Sequence, residues 1–324
     1  MRMRFTCSII TMLAAMATFA MPCAALAQGS KPVTLIVAHP AGGGTDLVAR
    51  VFAQKLSETG RQVIVENKPG ASGTIGTDQV ARSAPDGLTL LVIPDTNAIV
   101  PALFLKLNSD IIADFVPITL LAVGSHVIVA HPSFPAKNLQ DMIEYVKKNP
   151  GEPYASGGNG TAHHLGMELL KSMTGIDMRH IPYKGGGQAI SDVVGGQVKV
   201  ALLGLAPTLP FINSGKLKAI AVTGDKRSPA LPNVPTVAES GVAGFSTLQW
   251  FAVVAPAGTP APLVAQYHAE FTKAARDPVV VEKLASAVGL EVRTSPAPVD
   301  LTGFLKHELQ KWPPIVRAAQ VKMD

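Results

Sequence analysis

The chain has 324 residues, of which 47% are hydrophobic and 16% are charged, and its formal net charge is +5. This length is enough for one large domain or two smaller ones. No dense run of lysine and arginine with interleaved aromatic residues occurs, so the mild basic excess does not indicate nucleic-acid binding. The two cysteines, Cys7 and Cys23, both lie near the start. The remainder therefore offers no disulfide, thiolate metal ligand or cysteine nucleophile.

The first residues have the pattern of a secretory signal. Arg2 and Arg4 precede an apolar run over residues 8–21, which ends at the small residues Ala25-Leu-Ala27. The run is shorter than the ~20 residues that a membrane span needs. We predict export to the periplasm with cleavage after Ala27, which leaves a charge of +3 because the removed residues 1–27 carry two arginines and no acid.

Segments with strand-like and helix-like patterns alternate along the rest of the chain. The predicted strands are apolar runs bounded by turn residues: 33–38, 62–66, 88–93, 116–122, 127–130, 178–181, 198–203, 218–222, 251–255 and 290–293. The predicted helices are 46–59, 74–83, 139–148, 162–173, 187–194, 260–276, 278–288 and 298–319. This alternation predicts α/β layers built on largely parallel sheets.

Three strand ends resemble one another, because each passes from an apolar run into a proline. They are residues 35–40, 127–132 and 251–256. The second and third lie where a chain would leave one domain and return to it. We therefore predict one lobe from residues 28–129 and 250–324, a second lobe from 130–249, and a ligand cleft between them. A single doubly wound sheet remains open as an alternative.

Three consecutive glycines, Gly42–Gly44, stand between the first predicted strand and a helix that Thr45 or Asp46 would cap. A glycine turn bares backbone N–H groups and a helix start adds partial positive charge, so together they favour a small anion. Outside the cytoplasm, a carboxylate solute suits such a turn better than ATP or NAD. His39 precedes the turn and is either a cleft residue or a buried one.

A second glycine cluster, residues 154–165, again follows a short strand and opens a helix. Ser156 and Thr161 add hydroxyl groups beside the backbone N–H groups, and His164 follows within the first helical turn. Two such turns from opposite lobes could hold one carboxylate from both sides. The alternative is an ordinary turn in which Thr161 caps the helix.

Motifs for other chemistries are incomplete. The third glycine of a dinucleotide fingerprint, the upstream glycine of a P-loop and a G-x-S-x-G elbow are all missing. His164 and Glu168 stand four residues apart, a spacing that can hold zinc, but no third ligand is evident. We therefore expect no cofactor, no metal and no catalytic residue.

Eight motifs resemble those of the solute receptors of tripartite tricarboxylate transporters, also called the Bordetella uptake (Bug) or TctC-like family. They run in order through nearly the whole exported chain: Pro40–Asp46, Val65–Gly76, Ala84–Leu90, Gly160–Leu165, His180–Gly185, Ser214–Thr223, Leu231–Thr236 and Ala255–Pro260. Each motif alone is weak, whereas the ordered set is specific for the family.

The resemblance implies a type II periplasmic binding protein, with two α/β lobes joined by a two-segment hinge. It implies that backbone amides and ordered water hold a small carboxylate between the two glycine turns. It also implies delivery of the solute to a two-subunit membrane transporter. The residues carried over from the family motifs are Ala41, Gly42, Gly43, Thr45 and Asp46 from one lobe, and Ser156, Gly160, Thr161 and His164 from the other.

Two departures from the family pattern add candidate ligand contacts. His39 stands where the family usually has an aromatic residue, and Gly204 stands where a polar residue often follows an aromatic one. The first adds polarity and the second removes bulk. The sequence thus predicts a monomeric, non-catalytic receptor for a di- or tricarboxylate or an aromatic acid. An exported hydrolase that uses His39 or His164, and a sensory receptor feeding a signalling partner, remain open alternatives.

Overall fold

A computed structural model of the protein describes residues 31–104, 106–319 and 321. The predicted export signal, residues 1–27, lies outside the described residues. Within them, every helix is too short or too polar to cross a membrane.

The described chain is a mixed α/β fold with ten strands and ten α-helices. The strands are β1 (Val33–Val37), β2 (Val63–Asn67), β3 (Thr89–Pro94), β4 (Phe115–Ala130), β5 (Glu152–Ser156), β6 (Met178–Pro182), β7 (Val200–Gly204), β8 (Lys218–Val222), β9 (Leu248–Pro256) and β10 (Glu291–Val292). The helices are α1 (Gly44–Glu58), α2 (Thr74–Ala81), α3 (Thr96–Leu103), α4 (Leu139–Lys148), α5 (Ala162–Thr174), α6 (Gly186–Val194), α7 (Leu205–Asn213), α8 (Ala261–Ala275), α9 (Pro278–Val288) and α10 (Pro298–Ala318).

The sheet follows the order β2-β1-β3-β9-β4-β7-β5-β6, with β8 and β10 also paired to β4. The pairs of β1 with β2 and β3, and of β5 with β6 and β7, are parallel. In contrast, β4 and β9 run antiparallel to every strand that they pair with. The prediction of largely parallel sheets is therefore wrong at the centre, because alternation along the sequence does not reveal the direction of long-range pairings.

Strand β4 is shared by two halves of the sheet. Its residues 115–125 pair with β9, and residues 126–130 pair with β7 and β8. The sequence predicted two separate strands here, but residues 123–126 continue the ladder through the predicted gap. The fold thus consists of two α/β lobes that meet on one continuous strand. The lobe boundaries at residues 129 and 250 stay a prediction.

Apolar helix faces cover both sides of each half. In α1, Val48, Phe52 and Leu56 recur at helical spacing and are buried against the sheet. The opposite face of the same half buries Trp250 and Trp312. The second half has two corresponding clusters, one beneath α4 and α5 and one beneath α6 and α7. Each half is therefore a three-layer sandwich that holds the ends of its strands in place.

All eight predicted helices are present, with ends within two residues of the prediction. Helices α3 and α7 were not predicted. Both follow directly on a buried strand and contain an internal proline, Pro101 and Pro210 respectively. Proline disrupts the sequence pattern of a helix, but tertiary packing holds these short helices in place.

Candidate functional site

The first glycine loop connects β1 to α1. Helix α1 begins at Gly44 with Gly43 as its N-cap, and no side chain provides a capping bond. The expected cap by Thr45 or Asp46 is therefore wrong: both residues lie inside the first turn and are buried. Ala41, Gly42 and Gly43 are exposed.

The Asp46 carboxylate holds this loop in shape. It accepts hydrogen bonds from the Gly42 N–H at 2.9 Å, from Arg50 Nε at 3.0 Å and from Asn67 Nδ2 at 2.9 Å. The same Asn67 amide donates to the carbonyl of His39 at 3.1 Å. Burial acts to raise the pKa of Asp46, but the bonds from Arg50, Gly42 and Asn67 outweigh it and lower that pKa. All these hydrogen bonds are formed with other residues of the chain, so Asp46 stabilises the conformation of the loop.

The start of α1 presents free backbone donors. Among the described residues, the N–H groups of Gly44, Thr45 and Asp46 have no hydrogen-bond acceptor, since the first main-chain bond of the helix is from Leu47 to Gly43. A Cβ atom on Gly44 would lie 3.3 Å from the Phe251 ring. A side chain is thus poorly tolerated at Gly44, and the helix that begins there has a donor-rich, positively polarised start.

The second glycine loop connects β5 to α5. Ser156 is fully buried; its Oγ accepts the Gly158 N–H at 3.1 Å and lies 2.6 Å from His180 Nε2. Thr161 caps α5, accepting the His164 N–H at 3.3 Å and donating to the Gly158 carbonyl at 2.8 Å. The capping role considered as an alternative for Thr161 is thus confirmed.

The remaining predicted residues of this loop also bond to one another. Gly160, in the left-handed region with φ of 70°, donates its N–H to His164 Nδ1 at 3.2 Å. The side chains singled out from the sequence therefore shape the loop. Among the described residues, this loop also has backbone N–H groups without an acceptor. They include those of Ala162 and His163 in the first turn of α5.

A stack of three aromatic rings, those of His164, His180 and Tyr154, supports the second loop. The rings of His164 and His180 are parallel, with centroids 3.8 Å apart, and His180 stacks on Tyr154 at 5.0 Å. Tyr154 donates its hydroxyl hydrogen to Glu168 at 2.7 Å, and Lys171 bonds to the same carboxylate at 2.8 Å. Burial lowers the pKa of His164 to about 4 and that of His180 to about 3. Both rings are therefore neutral near pH 7.

Between the two loops lie four further polar side chains, His39, Asp95, His126 and His163, which we name the junction cluster. His39 follows β1, Asp95 follows β3, and His163 lies in the first turn of α5. His126 lies on β4 opposite Gly204, where the pairing passes from one half of the sheet to the other. The cluster thus draws on both lobes at the carboxyl ends of parallel strands, the usual place for a ligand in α/β folds.

Distances within the junction cluster are short. His126 Nε2 lies 3.6 Å from Asp95 Oδ2, and the rings of His126 and His163 meet edge to face at 4.7 Å. A Cβ atom on Gly204 would lie 3.8 Å from His163 Nε2, so the small residue predicted as a departure lines the same space.

The junction cluster holds many unpaired polar atoms. Both ring nitrogens of His39, His126 and His163, and Oδ2 of Asp95, are buried without a hydrogen-bond partner in the described part of the chain. Burial lowers the pKa of His39, against the opposing effect of the Asp95 carboxylate. Burial and then the neighbouring His126 lower the pKa of His163 well below its usual value. Neutral imidazoles that lack partners are free to accept or donate a hydrogen bond to a bound molecule.

Sequence reasoning missed part of this cluster. Asp95, His126 and His163 were not among the predicted ligand contacts. Asp95 could have been found, because it ends a buried strand whose carboxyl end points to the ligand side. His126 gave no such signal, since it lies inside a strand. No group of three or more His, Cys, Asp or Glu side chains that could hold a metal ion occurs among the described residues.

The fold is that of the two-lobed periplasmic binding proteins. A family model described as the tripartite tricarboxylate transporter family receptor matches residues 48–321, so the chain belongs to this family. The protein is similar to BugT of Bordetella pertussis, with 35% identity over the full length of both chains.

Two solved structures of relatives contain a ligand. Rpa4515 of R. palustris with adipate is 31% identical, has a TM-score of 0.80, and the match covers 90% of this chain and 98% of that one. MatC of Rhodopseudomonas palustris with bound malate is 33% identical, with a TM-score of 0.76 and coverage of 88% and 98%.

Proposed function

We propose that the protein is an exported receptor that captures a small carboxylate between its two glycine loops and delivers it to membrane subunits of the tripartite type. The observation that carries this proposal is the pair of helix starts, α1 from one lobe and α5 from the other, each with free N–H groups. Oriented amides and helix dipoles together favour a carboxylate over a neutral solute. The adipate and malate held by two relatives support this ligand class.

Binding would proceed by closure of the lobes. One carboxylate oxygen accepts hydrogen bonds from the amides at Gly44 and Thr45, and the other from those at Ala162 and His163. The solute then contacts both lobes at once, so it stabilises the closed arrangement more than the open one. The membrane subunits would recognise that closed arrangement. Ala41, Gly42, Gly43, Asp46, Ser156, Gly160, Thr161 and His164 would shape the two loops around the ligand.

An exported hydrolase is the less favoured alternative. Ser156 and His180 are in contact, but Ser156 is fully buried and the low pKa of His180, about 3, makes it a weak base. His164 already accepts a hydrogen bond from Gly160 on Nδ1. These two histidines are therefore poorly suited to activate a nucleophile at neutral pH.

The test is a thermal-shift screen of mono-, di- and tricarboxylates and aromatic acids, followed by calorimetry of the hits. A ligand that binds only the folded state stabilises it by RT ln(1 + [L]/Kd). We expect one site per monomeric chain and no product by mass spectrometry after long incubation. If no carboxylate raises the melting temperature, the proposed ligand class is wrong; if a product forms, the enzyme alternative is correct.

Export and partnership need separate tests. Intact-mass analysis of periplasmic protein should show Gln28 at the N-terminus, and a lipid-modified Cys23 would contradict the proposed cleavage. Uptake of the identified solute by cells that carry the membrane subunits should require this receptor. If loss of the receptor abolishes a transcriptional response and leaves uptake unchanged, the protein is a sensory receptor.

A further inference from the structure

The junction cluster lies beside the proposed carboxylate site, which the starts of α1 and α5 form, and it presents a different chemistry. The two loops offer N–H donors, whereas the cluster offers a carboxyl side chain and three imidazole rings. It is also deeply placed, since Asp95 is 6% exposed and His126 is 2% exposed. Buried polar atoms without partners cost free energy, so a native protein that retains several of them in one place has a use for them.

The Asp95 carboxylate determines which chemical group of a ligand can bind in the junction cluster. Its Oδ2 atom has no hydrogen-bond partner among the described residues, and the nearest basic group is the His126 ring, whose Nε2 atom lies 3.6 Å away. No lysine or arginine nitrogen of the described chain lies within 4.0 Å of this carboxylate. A second carboxylate placed here would face a like charge in a region of low dielectric. A hydroxyl or amino group would instead donate a hydrogen bond to Oδ2.

The three histidines also favour a hydroxyl or amino group in this region. His126 and His163 meet edge to face at 4.7 Å, and each retains unpaired ring nitrogens within the described residues. A neutral imidazole has one donor and one acceptor nitrogen, so it pairs with a hydroxyl group through either. The absence of a side chain at Gly204 leaves space next to His163 Nε2.

We propose that the solute is a monocarboxylate whose far end carries a hydroxyl or amino group, and that Asp95, His126 and His163 bind that end while excluding a second carboxylate. The inference rests on the proposed function, because it assumes that the glycine loops hold the first carboxylate. The proposed solute class differs from the dicarboxylates adipate and malate that two relatives hold.

The test compares solutes of equal length. Wild-type protein is titrated with four- to six-carbon ω-hydroxy acids, ω-amino acids and α,ω-dicarboxylates, and with the aromatic pair 4-hydroxybenzoate and terephthalate. We expect at least one hydroxy or amino acid to bind tenfold or more tightly than the dicarboxylate of the same length. If the dicarboxylates bind more tightly, the inference is wrong and the proposed function stands. If no compound of any series binds, the proposed function fails and the inference with it.

The substitution Asp95→Asn removes the charge and nearly preserves the shape of the side chain. We expect it to reduce the preference for the hydroxy or amino acid at least fivefold, mainly by improving dicarboxylate binding. Asp192→Asn is the matched control, because Asp192 accepts a hydrogen bond from the Tyr183 hydroxyl and is not part of the junction cluster. An unchanged preference in folded Asp95→Asn protein would overturn the role of Asp95.

Discussion

Asp46 illustrates how a residue can act in a proposed ligand loop by holding the conformation of that loop. Its carboxylate fixes the Gly42 N–H, Arg50 and Asn67 at 2.9–3.0 Å. The free amides at the start of α1 therefore keep their direction in the absence of a solute. Such preorganisation reduces the entropy lost on binding.

Replacing Asp46 by alanine should weaken both folding and binding. Removal of a buried, charged acceptor costs about 2–3 kcal/mol, and the released loop no longer aligns its amides. Urea denaturation and calorimetry with the best carboxylate measure the two effects. Asp141→Ala is the control, because Asp141 accepts the Lys137 N–H at 3.0 Å in the same i−4 geometry, but in an exposed contact. If both variants keep full affinity, Asp46 does not organise the seat.

Gly43 provides a direct test of the first loop. Its φ of −78° suits any residue, and a Cβ atom would meet only the Pro40 carbonyl oxygen, at 3.4 Å. Gly43→Val should therefore fold normally, as measured by circular dichroism, yet abolish carboxylate binding because the side chain enters the anion seat. Gly42→Val is the contrasting variant, since its φ of 80° strains the backbone itself. If folded Gly43→Val protein binds the carboxylate as tightly as the parent, the carboxylate site lies elsewhere.

At this scale the sequence located both loops but not the bonds inside them. Glycine clusters before amphipathic helices are local signals, and both loops lie where they were predicted. Which atom caps which helix depends on side-chain geometry, so Thr161 was correctly considered as a cap while Thr45 and Asp46 were not caps. His126 was missed because its environment comes from the distant residues Asp95 and His163.

Helix α5 begins beside the stacked rings of His164, His180 and Tyr154. The two histidines make the stability of the fold depend on pH. The folded-state pKa values of His164, about 4, and His180, about 3, lie below the ordinary value of 6.5. At pH values between the folded-state pKa of each histidine and 6.5, the unfolded chain binds more protons than the folded one. The free energy of unfolding therefore falls as the pH decreases through this range. Above pH ~6.5 neither histidine contributes to the slope.

We expect the free energy of unfolding to decrease by up to roughly 1.4 kcal/mol per pH unit for each histidine between pH 6 and 4. Chemical denaturation at a series of pH values measures this slope. The variants His164→Gln and His180→Gln should show shallower slopes than the parent, whereas the control variant His307→Gln, at an exposed position outside the stack, should not. Equal slopes in all four proteins would show that the stack does not titrate in this way.

Elements were predicted well where local periodicity decides them, and poorly where distant chain segments do. The apolar spacing of α1, α4, α8 and α9 is visible in the sequence, and their ends were predicted within two residues. Helices α3 and α7 contain prolines and rely on packing. The directions of β4 and β9 depend on partners more than a hundred residues away in the chain, and no local pattern encodes such a pairing.

On the scale of the whole molecule, a few bonds join β4 to the segment that returns the chain towards β9. Thr223 Oγ1 accepts the His126 N–H at 3.0 Å and donates to the Thr247 carbonyl at 2.7 Å. Both the strand and the returning segment therefore depend on one buried hydroxyl. This contact lies beside the place where the pairing partners of β4 change.

Thr223→Val should destabilise the protein by about 2 kcal/mol or more, because it leaves the His126 N–H and the Thr247 carbonyl with one bond fewer in a buried place. Thr208→Val is the matched control: Thr208 is equally buried, but its hydroxyl bonds only to carbonyls of its own helix turn, Gly204 and Leu205. Urea denaturation of both variants gives the comparison. A loss no larger than that of the control would show that Thr223 does not join the segments.

The continuity of β4 has a consequence for the kinetics of capture. A strand that runs through both halves of the sheet can twist but cannot separate, so we expect His126 to move little when the two glycine loops approach each other in the proposed closure. On the proposed function, a solute would then meet its far-end partners on a nearly stationary surface and its carboxylate partners on moving ones. We expect the far end to govern whether an encounter lasts long enough for closure, and the carboxylate to govern the residence time afterwards. Selectivity would then appear mainly before closure, and affinity mainly in the dissociation rate.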